Sequence, residues 1–134
     1  MKIEIGYGNV RKVLIGDDLP LAFVGGPCAI ENRDHAFLIA DMINKICNKL
    51  KIPWIYKSCY DKDCRSSPKS FHGVGIEEGL KILEEVKLTF SCPVITDIHT
   101  VSQCAEASEV VDVLQIPAFL SRQTDLLIAA GETG

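Results

Sequence analysis

The chain has 134 residues and a net charge of −4 at pH 7, with 47% hydrophobic and 24% charged residues. This length holds one domain at most, of ordinary globular composition. The charge balance excludes a basic face of the kind that grips nucleic acid. No apolar run approaches the ~18 residues needed to span a membrane. No basic segment precedes an apolar stretch at the start, so no secretory signal is expected.

Short apolar alternation from Ile3 to Ile15, around Gly6-Tyr7-Gly8-Asn9, predicts a β-hairpin. Leu21 to Val24 is a continuous apolar run stopped by Gly25-Gly26-Pro27, a pattern that suits a strand buried on both faces. Residues 34–50 carry a helical period, with Ala36, Ile39, Ala40, Ile43, Cys47 and Leu50 on one face. Ile52 to Tyr56 predicts a second strand, and a polar stretch follows from Lys57 to Gly75. Ile76, Leu80, Leu83, Val86 and Phe90 mark a second helix, and Pro93 to Thr96 a third strand. Thr100-Val101-Ser102-Gln103 has the form of a capping box opening a helix near 101–108. Val110 to Ile116 predicts a fourth strand, and Leu126 to Ala130 a fourth helix with Gly131 near its stop. A hairpin over 1–19 followed by four βα units over 20–134 demands parallel strands joined by right-handed crossovers.

The chemically informative residues follow the predicted strands. They are Cys28 after the first, Lys57, Lys62, Arg65 and Ser66 after the second, Asp97 and His99 after the third, and Gln115 and Arg122 after the fourth. In a parallel α/β fold these positions share one rim. The cations and hydroxyls of the 57–75 loop match what a phosphate group needs, and an ordinary solvated loop accounts for them as well. Lys57 ends an apolar strand, where a lysine without a partner is costly to bury. Six cysteines stand at 28, 47, 59, 64, 92 and 104 with no C-x-x-C pair, which fits reduced, buried thiols better than a disulfide framework or zinc ribbon. Cys28, after a Gly-Pro turn, reads either as a small packed side chain or as a thiolate metal ligand. His35 reads as an exposed helix residue, and His99 as a hydrogen-bonding group beside the site.

Gly26-Pro27-Cys28-Ala29-Ile30-Glu31, Tyr56-Lys57-Ser58, Asp61-Lys62, Arg65-Ser66-Ser67, Glu77 to Leu83, Thr96-Asp97-Ile98-His99 and Asp112 to Leu120 running into Arg122-Gln123-Thr124-Asp125 occur in an order and spacing that resemble the 3-deoxy-D-manno-octulosonate 8-phosphate synthase family. The resemblance runs from about residue 20 to the end. It implies the N-terminal half of a (β/α)₈ (TIM) barrel in a bacterial cytoplasm. It further implies condensation of phosphoenolpyruvate with D-arabinose 5-phosphate and water, releasing phosphate, for lipopolysaccharide biosynthesis. Lys57 and Lys62 would hold phosphoenolpyruvate, and Arg65 and Ser66 the sugar phosphate. Asp97 and Gln115 would line the pocket. Arg122 would reach a neighbouring subunit's sugar phosphate, which implies a homo-oligomer, in this family a tetramer. A cysteine at position 28 marks the family's metal-dependent members, which implies a divalent ion such as iron, zinc or manganese.

The sequence departs from the family pattern at Cys64, where asparagine is usual, and at His72, where arginine precedes Gly73. The family's other metal ligands, a further phosphate-binding lysine and arginine, and the last four βα units have no counterpart in these 134 residues. The expectation is therefore a chain with little synthase activity alone. It is half of an enzyme completed by a C-terminal half, or a module that holds phosphate compounds, or a self-associating remnant.

Overall fold

The computed structural model describes residues 1–62, 67, 69 and 71–134. Arg65, Ser66 and Cys64, singled out in the sequence, lie outside them. Strand β1 (Lys2–Ile5) pairs antiparallel with β2 (Val13–Gly16), with Ile3 opposite Ile15, the hairpin that the alternation predicts. Arg11 ties it to the body through its backbone N–H to the Ser91 carbonyl at 3.0 Å and its guanidinium to Asn48 at 2.8 Å.

The remaining strands form one parallel sheet in the order β3 (Phe23–Gly25), β4 (Trp54–Lys57), β5 (Val94–Asp97) and β6 (Val113–Gln115). Neighbours in sequence are neighbours in the sheet, and helices α1 (Arg33–Leu50), α2 (Ile76–Phe90) and α3 (Val101–Ser108) make the crossovers. Helix α4 (Thr124–Gly131) follows β6 after a 3₁₀ turn at Ala118–Leu120. The fold is thus α/β with a parallel sheet and helices. Its core joins Tyr56 and Val94 of the sheet to Leu83 and Val86 of α2, with Tyr60, Ile30 and Ile98 from the connecting segments.

Several expectations are corrected. Phe23 and Val24 are 43% and 44% exposed, not buried on both faces, because β3 pairs only with β4. Leu50 is 58% exposed. It belongs with Leu38, Met42 and Ile46, an exposed i,i+4 stripe on α1, and the buried face is Ala36, Ala40 and Cys47. His35 is half-buried, because its backbone N–H donates to the Asn32 side chain at 2.8 Å and seats it in the first turn of α1. The capping box is incomplete: Gln103 reaches back to the backbone N–H of His99 at 2.8 Å, while the Thr100 hydroxyl pairs with Ser102 at 3.0 Å. The fourth strand starts at Val113 instead of Val110, since the Val110 and Val111 N–H groups both bond the Ala107 carbonyl at the end of α3.

That shortening leaves Asp112 a structural task. Its side chain is 1% exposed and 3.0 Å from the Lys87 ammonium. Its second oxygen accepts the Val94 N–H at 2.8 Å, while Lys87 also donates to the Val110 carbonyl at 2.9 Å. The pair joins α2 to the N-terminal ends of β5 and β6. Asp112→Ala strands a buried ammonium and an N–H, so a loss of about 3–5 kcal/mol is expected in urea denaturation. Lys45→Ala, which breaks an exposed 2.6 Å pair with Asp41, is expected to cost less than about 0.5 kcal/mol.

Candidate functional site

Register decides which side chains meet. In the sheet Lys57 lies opposite Ile95, and Asp97 opposite Gln115. Strand side chains alternate faces, so Asp97, two residues beyond Ile95, lies on the same face as Lys57 and one step nearer the C-terminal rim. The Lys57 ammonium donates to Asp97 Oδ1 at 2.8 Å, so the lysine at the end of the apolar strand has its partner.

The pairing continues past β4. Ala29 and Cys59 form a parallel bridge, and the Ile30 N–H donates to the Cys59 carbonyl at 2.9 Å. The Ser58 hydroxyl donates to the Pro27 carbonyl at 2.7 Å. These bonds draw the Cys28 turn onto the segment after Lys57. The approach requires glycine at 26: a Cβ there would lie 2.1 Å from the Lys57 carbonyl oxygen. On the far side the Tyr60 carbonyl accepts the Gly75 N–H at 3.1 Å. Gly79 of α2 sits so close that a Cβ would lie 2.1 Å from that of Tyr60.

Lys62 thereby turns back into the cleft. Its ammonium lies 3.1 Å from the Cys59 sulfur and 3.9 Å from Asp97 Oδ2. Lys57 reaches the same Cys59 sulfur at 3.9 Å. His72 Nδ1 is 3.1 Å from the Lys62 carbonyl. That oxygen only accepts, so the ring carries its proton on Nδ1, and His72 holds the Lys62 backbone.

Cys28, Lys57, Lys62 and Asp97 are therefore together at the C-terminal ends of parallel strands. Gln115 ends β6 on the same rim, half-buried, and the contacts that join the four do not include its side chain. Arg122 is exposed on the turn before α4. The ring of His99 is half-buried, and its Nδ1 has no partner among the described residues. Cys28 is free and exposed, and Cys47, Cys59, Cys92 and Cys104 are free and buried. Sequence reasoning grouped Cys59 with the inert core thiols. Its position two residues beyond Lys57, on the same strand-end face, is the signal that marks it. A concavity of 340 Å³ lined by Arg11, Trp54 and Phe90 lies at the opposite, N-terminal end of the strands, away from this chemistry.

Burial opposes ionisation of Asp97, but Lys57, Cys59 and Lys62 outweigh it and hold the carboxyl below its ordinary range. For Lys62, burial works against the charge, and its contacts with Cys59 and Cys28 prevail and raise its pKa. Burial pushes the Cys59 thiol up, against the pull of Lys62 and Lys57. Around the Cys59 thiol, held neutral by burial, the cluster sets two ammonium groups against one carboxylate, a surplus of one positive charge, with Cys28 on the neighbouring turn. No set of three or more His, Cys, Asp and Glu side chains among the described residues converges to hold a metal ion. Cys28 supplies one thiol ligand at most, and the described residues do not by themselves fit a metal.

Residues 2–134 match the DAHP synthetase I family. The chain belongs to that family. It is 54% identical over 126 residues to the 2-dehydro-3-deoxyphosphooctonate aldolase of Rickettsia conorii, covering 94% of this chain and 46% of that protein. To the aldolase of the same name from Rickettsia prowazekii it is 52% identical over 134 residues, which is 100% of this chain and 48% of the relative. The chain spans about half the length of the curated relatives it matches. No helix among the described residues is long and apolar enough to cross a membrane.

A depressed carboxyl pKa gives a signed prediction. Asp97 stabilises the fold above the ordinary carboxylate pKa of about 4, and this contribution is lost as pH falls through its lowered folded value. Asp97→Asn is expected to be about 1–3 kcal/mol less stable than the parent at pH 7, discounted for the partial exposure of Lys57. The gap is expected to close on acidification below pH ~4, read by urea denaturation across the pH series.

Proposed function

We propose that this chain supplies half of the active centre of a phosphoenolpyruvate-condensing (β/α)₈ barrel, a 3-deoxy-D-manno-octulosonate 8-phosphate synthase acting in the cytoplasm. The observation that carries this reading is the surplus cationic charge of Lys57 and Lys62 around Asp97, at the C-terminal ends of parallel strands. That is the end where barrels place their sites. The relatives, 2-dehydro-3-deoxyphosphooctonate aldolases, agree with it. In this reading the hairpin at 1–19 precedes four βα units at 20–134, and the remaining strands come from a complementing half.

Phosphoenolpyruvate carries a carboxylate and a phosphate, and two compact ammonium groups suit two anionic ends. Lys57, held by Asp97, and Lys62, held by Cys59, would receive them. Carbon C3 of phosphoenolpyruvate then attacks the aldehyde of D-arabinose 5-phosphate, water adds at C2, and the C–O bond to phosphate breaks. The charge that grows on the departing phosphate falls beside cations already in place. Arg65 and Ser66 are assigned the sugar phosphate, Gln115 the pocket wall, and Arg122 a neighbouring subunit's sugar phosphate in a homo-oligomer, by the family pattern. Cys28 is assigned as one ligand of a divalent metal that, when bound, supplies Lewis-acid polarisation. Its other ligands would come from the complementing half.

A second reading, a module that binds phosphate compounds without turnover, rests on the same cations: Lys57 and Lys62 around a single Asp97 attract an anion whether or not it reacts. The two separate in one experiment. Calorimetric titration of the 134-residue chain with phosphoenolpyruvate is expected to show binding, and Lys62→Met to weaken it at least about tenfold. Phosphate release with arabinose 5-phosphate is expected to be slow alone and to rise when a relative's missing half is added. Binding without any release in that mixture supports the second reading. Absence of binding rejects both.

The metal assignment has its own readout. With the complementing half present, Zn²⁺ or Mn²⁺ is expected to slow alkylation of exposed Cys28 by iodoacetamide, followed by mass spectrometry. Equal rates with and without the ion would remove Cys28 as a ligand.

A further inference from the structure

The Cys59 sulfur is fully buried, yet it meets both lysines of the cleft, at 3.1 Å from Lys62 and 3.9 Å from Lys57. Its backbone is fixed by the bridge to Ala29 and the bond from Ile30. The sulfur is thus a rigid acceptor at the end of a strand extension. Lys62 is the opposite: a long, flexible side chain that loses rotamer freedom when its ammonium is held in one place.

We propose that Cys59 is a positioning residue: its neutral sulfur holds the Lys62 ammonium in the cleft beside Lys57 before any anion arrives. A carboxylate at 59 would hold the lysine equally well but cancel the surplus charge, because Asp97 already offsets one cation. An apolar side chain would leave the charge and release the ammonium. A thiol orders the cation and leaves its charge for the ligand. The benefit is preorganisation: an ammonium already placed does not lose its rotamer freedom when the anion binds. This role rests on the assignment of Lys62 to phosphoenolpyruvate made above.

The test uses the 134-residue chain and Cys59→Ser, Cys59→Ala and Cys59→Asp variants, checked for folding by thermal melts. Phosphoenolpyruvate affinity by calorimetry is expected within about twofold of the parent for serine, which keeps an acceptor, and weakened about five- to tenfold for alanine. Aspartate is expected to weaken it further, since the surplus charge is gone. A second readout needs no ligand: the rate of Lys62 acylation by an N-hydroxysuccinimide ester, mapped by mass spectrometry. That rate is expected to rise several-fold in the alanine variant and to stay at the parent value in the serine variant. A purely packing role would leave the Lys62 labelling rate unchanged in every folded variant. Should alanine unfold the chain, Cys59→Val, which also lacks an acceptor, takes its place. Unchanged Lys62 labelling in a folded alanine or valine variant overturns the proposal. If the parent binds no phosphoenolpyruvate, the function proposed above falls, and the labelling comparison still decides the role of Cys59.

Discussion

One carboxylate shared between two ammonium groups is the constraint on which the candidate site depends. Strand β5 carries an ion pair at each end, and the two differ in balance. At its start, Asp112 is matched by Lys87, and the remaining oxygen accepts a backbone N–H. Charge and hydrogen bonds close, and such a pair serves structure. At its end, Asp97 faces Lys57 at 2.8 Å and Lys62 at 3.9 Å. One positive charge is left over. A surplus cation is tolerable here because the cleft is not sealed: the Lys57 side chain remains 28% exposed, and water or an anionic ligand can complete its coordination.

Backbone geometry places these charges before any side chain is considered. Parallel register sets Lys57 and Asp97 on one face. The bridge from Ala29 to Cys59 prolongs the sheet beyond β4 and carries Cys28 inward. Gly26 permits that approach because no Cβ fits against the Lys57 carbonyl. Tyr60, fully buried beneath Gly79 of α2, anchors the chain just before Lys62 turns back. A substitution at Gly26 or Gly79 would reach the site without touching a charged group.

Much of this was legible in the sequence, and the misses have physical causes. Apolar runs ended by polar residues located the strands and the rim, because hydrophobic periodicity reports burial directly. Lys57 declared itself by ending such a run. Cys59 did not: a thiol in an apolar context looks the same whether it packs or accepts a hydrogen bond. The apolar neighbours of Asp112 read as strand, although the Val110 and Val111 N–H groups are still committed to the Ala107 carbonyl at the end of α3. Phe23 and Val24 are exposed despite their apolar run, because such a run records what a side chain can cover, not whether a neighbour is present. Gln103 supplied the capping chemistry that Thr100-x-x-Gln103 promised, but one residue earlier, at His99.

The exposed apolar surface and the cleft are physically linked. Strand β3 shows Phe23 and Val24 on an edge that pairs only with β4, and α1 shows Leu38, Met42, Ile46 and Leu50. Such edges and stripes favour further strands and helices against them. Where strands added at the β3 edge enclose the cleft, they also take water from around Lys57 and Lys62. Attraction between unit charges at a fixed distance rises about fourfold when the effective dielectric falls from that of water to about 20. An anion held by Lys57 and Lys62 in the open cleft is therefore weakly bound beside the same anion in a closed one. Closure adds its electrostatic gain without a new contact, provided that both ammonium groups are in place when it happens. The strength of the site thus depends on two properties of this chain together: the apolar surface that favours enclosure, and the Asp97 and Cys59 contacts that hold the cations ready for it.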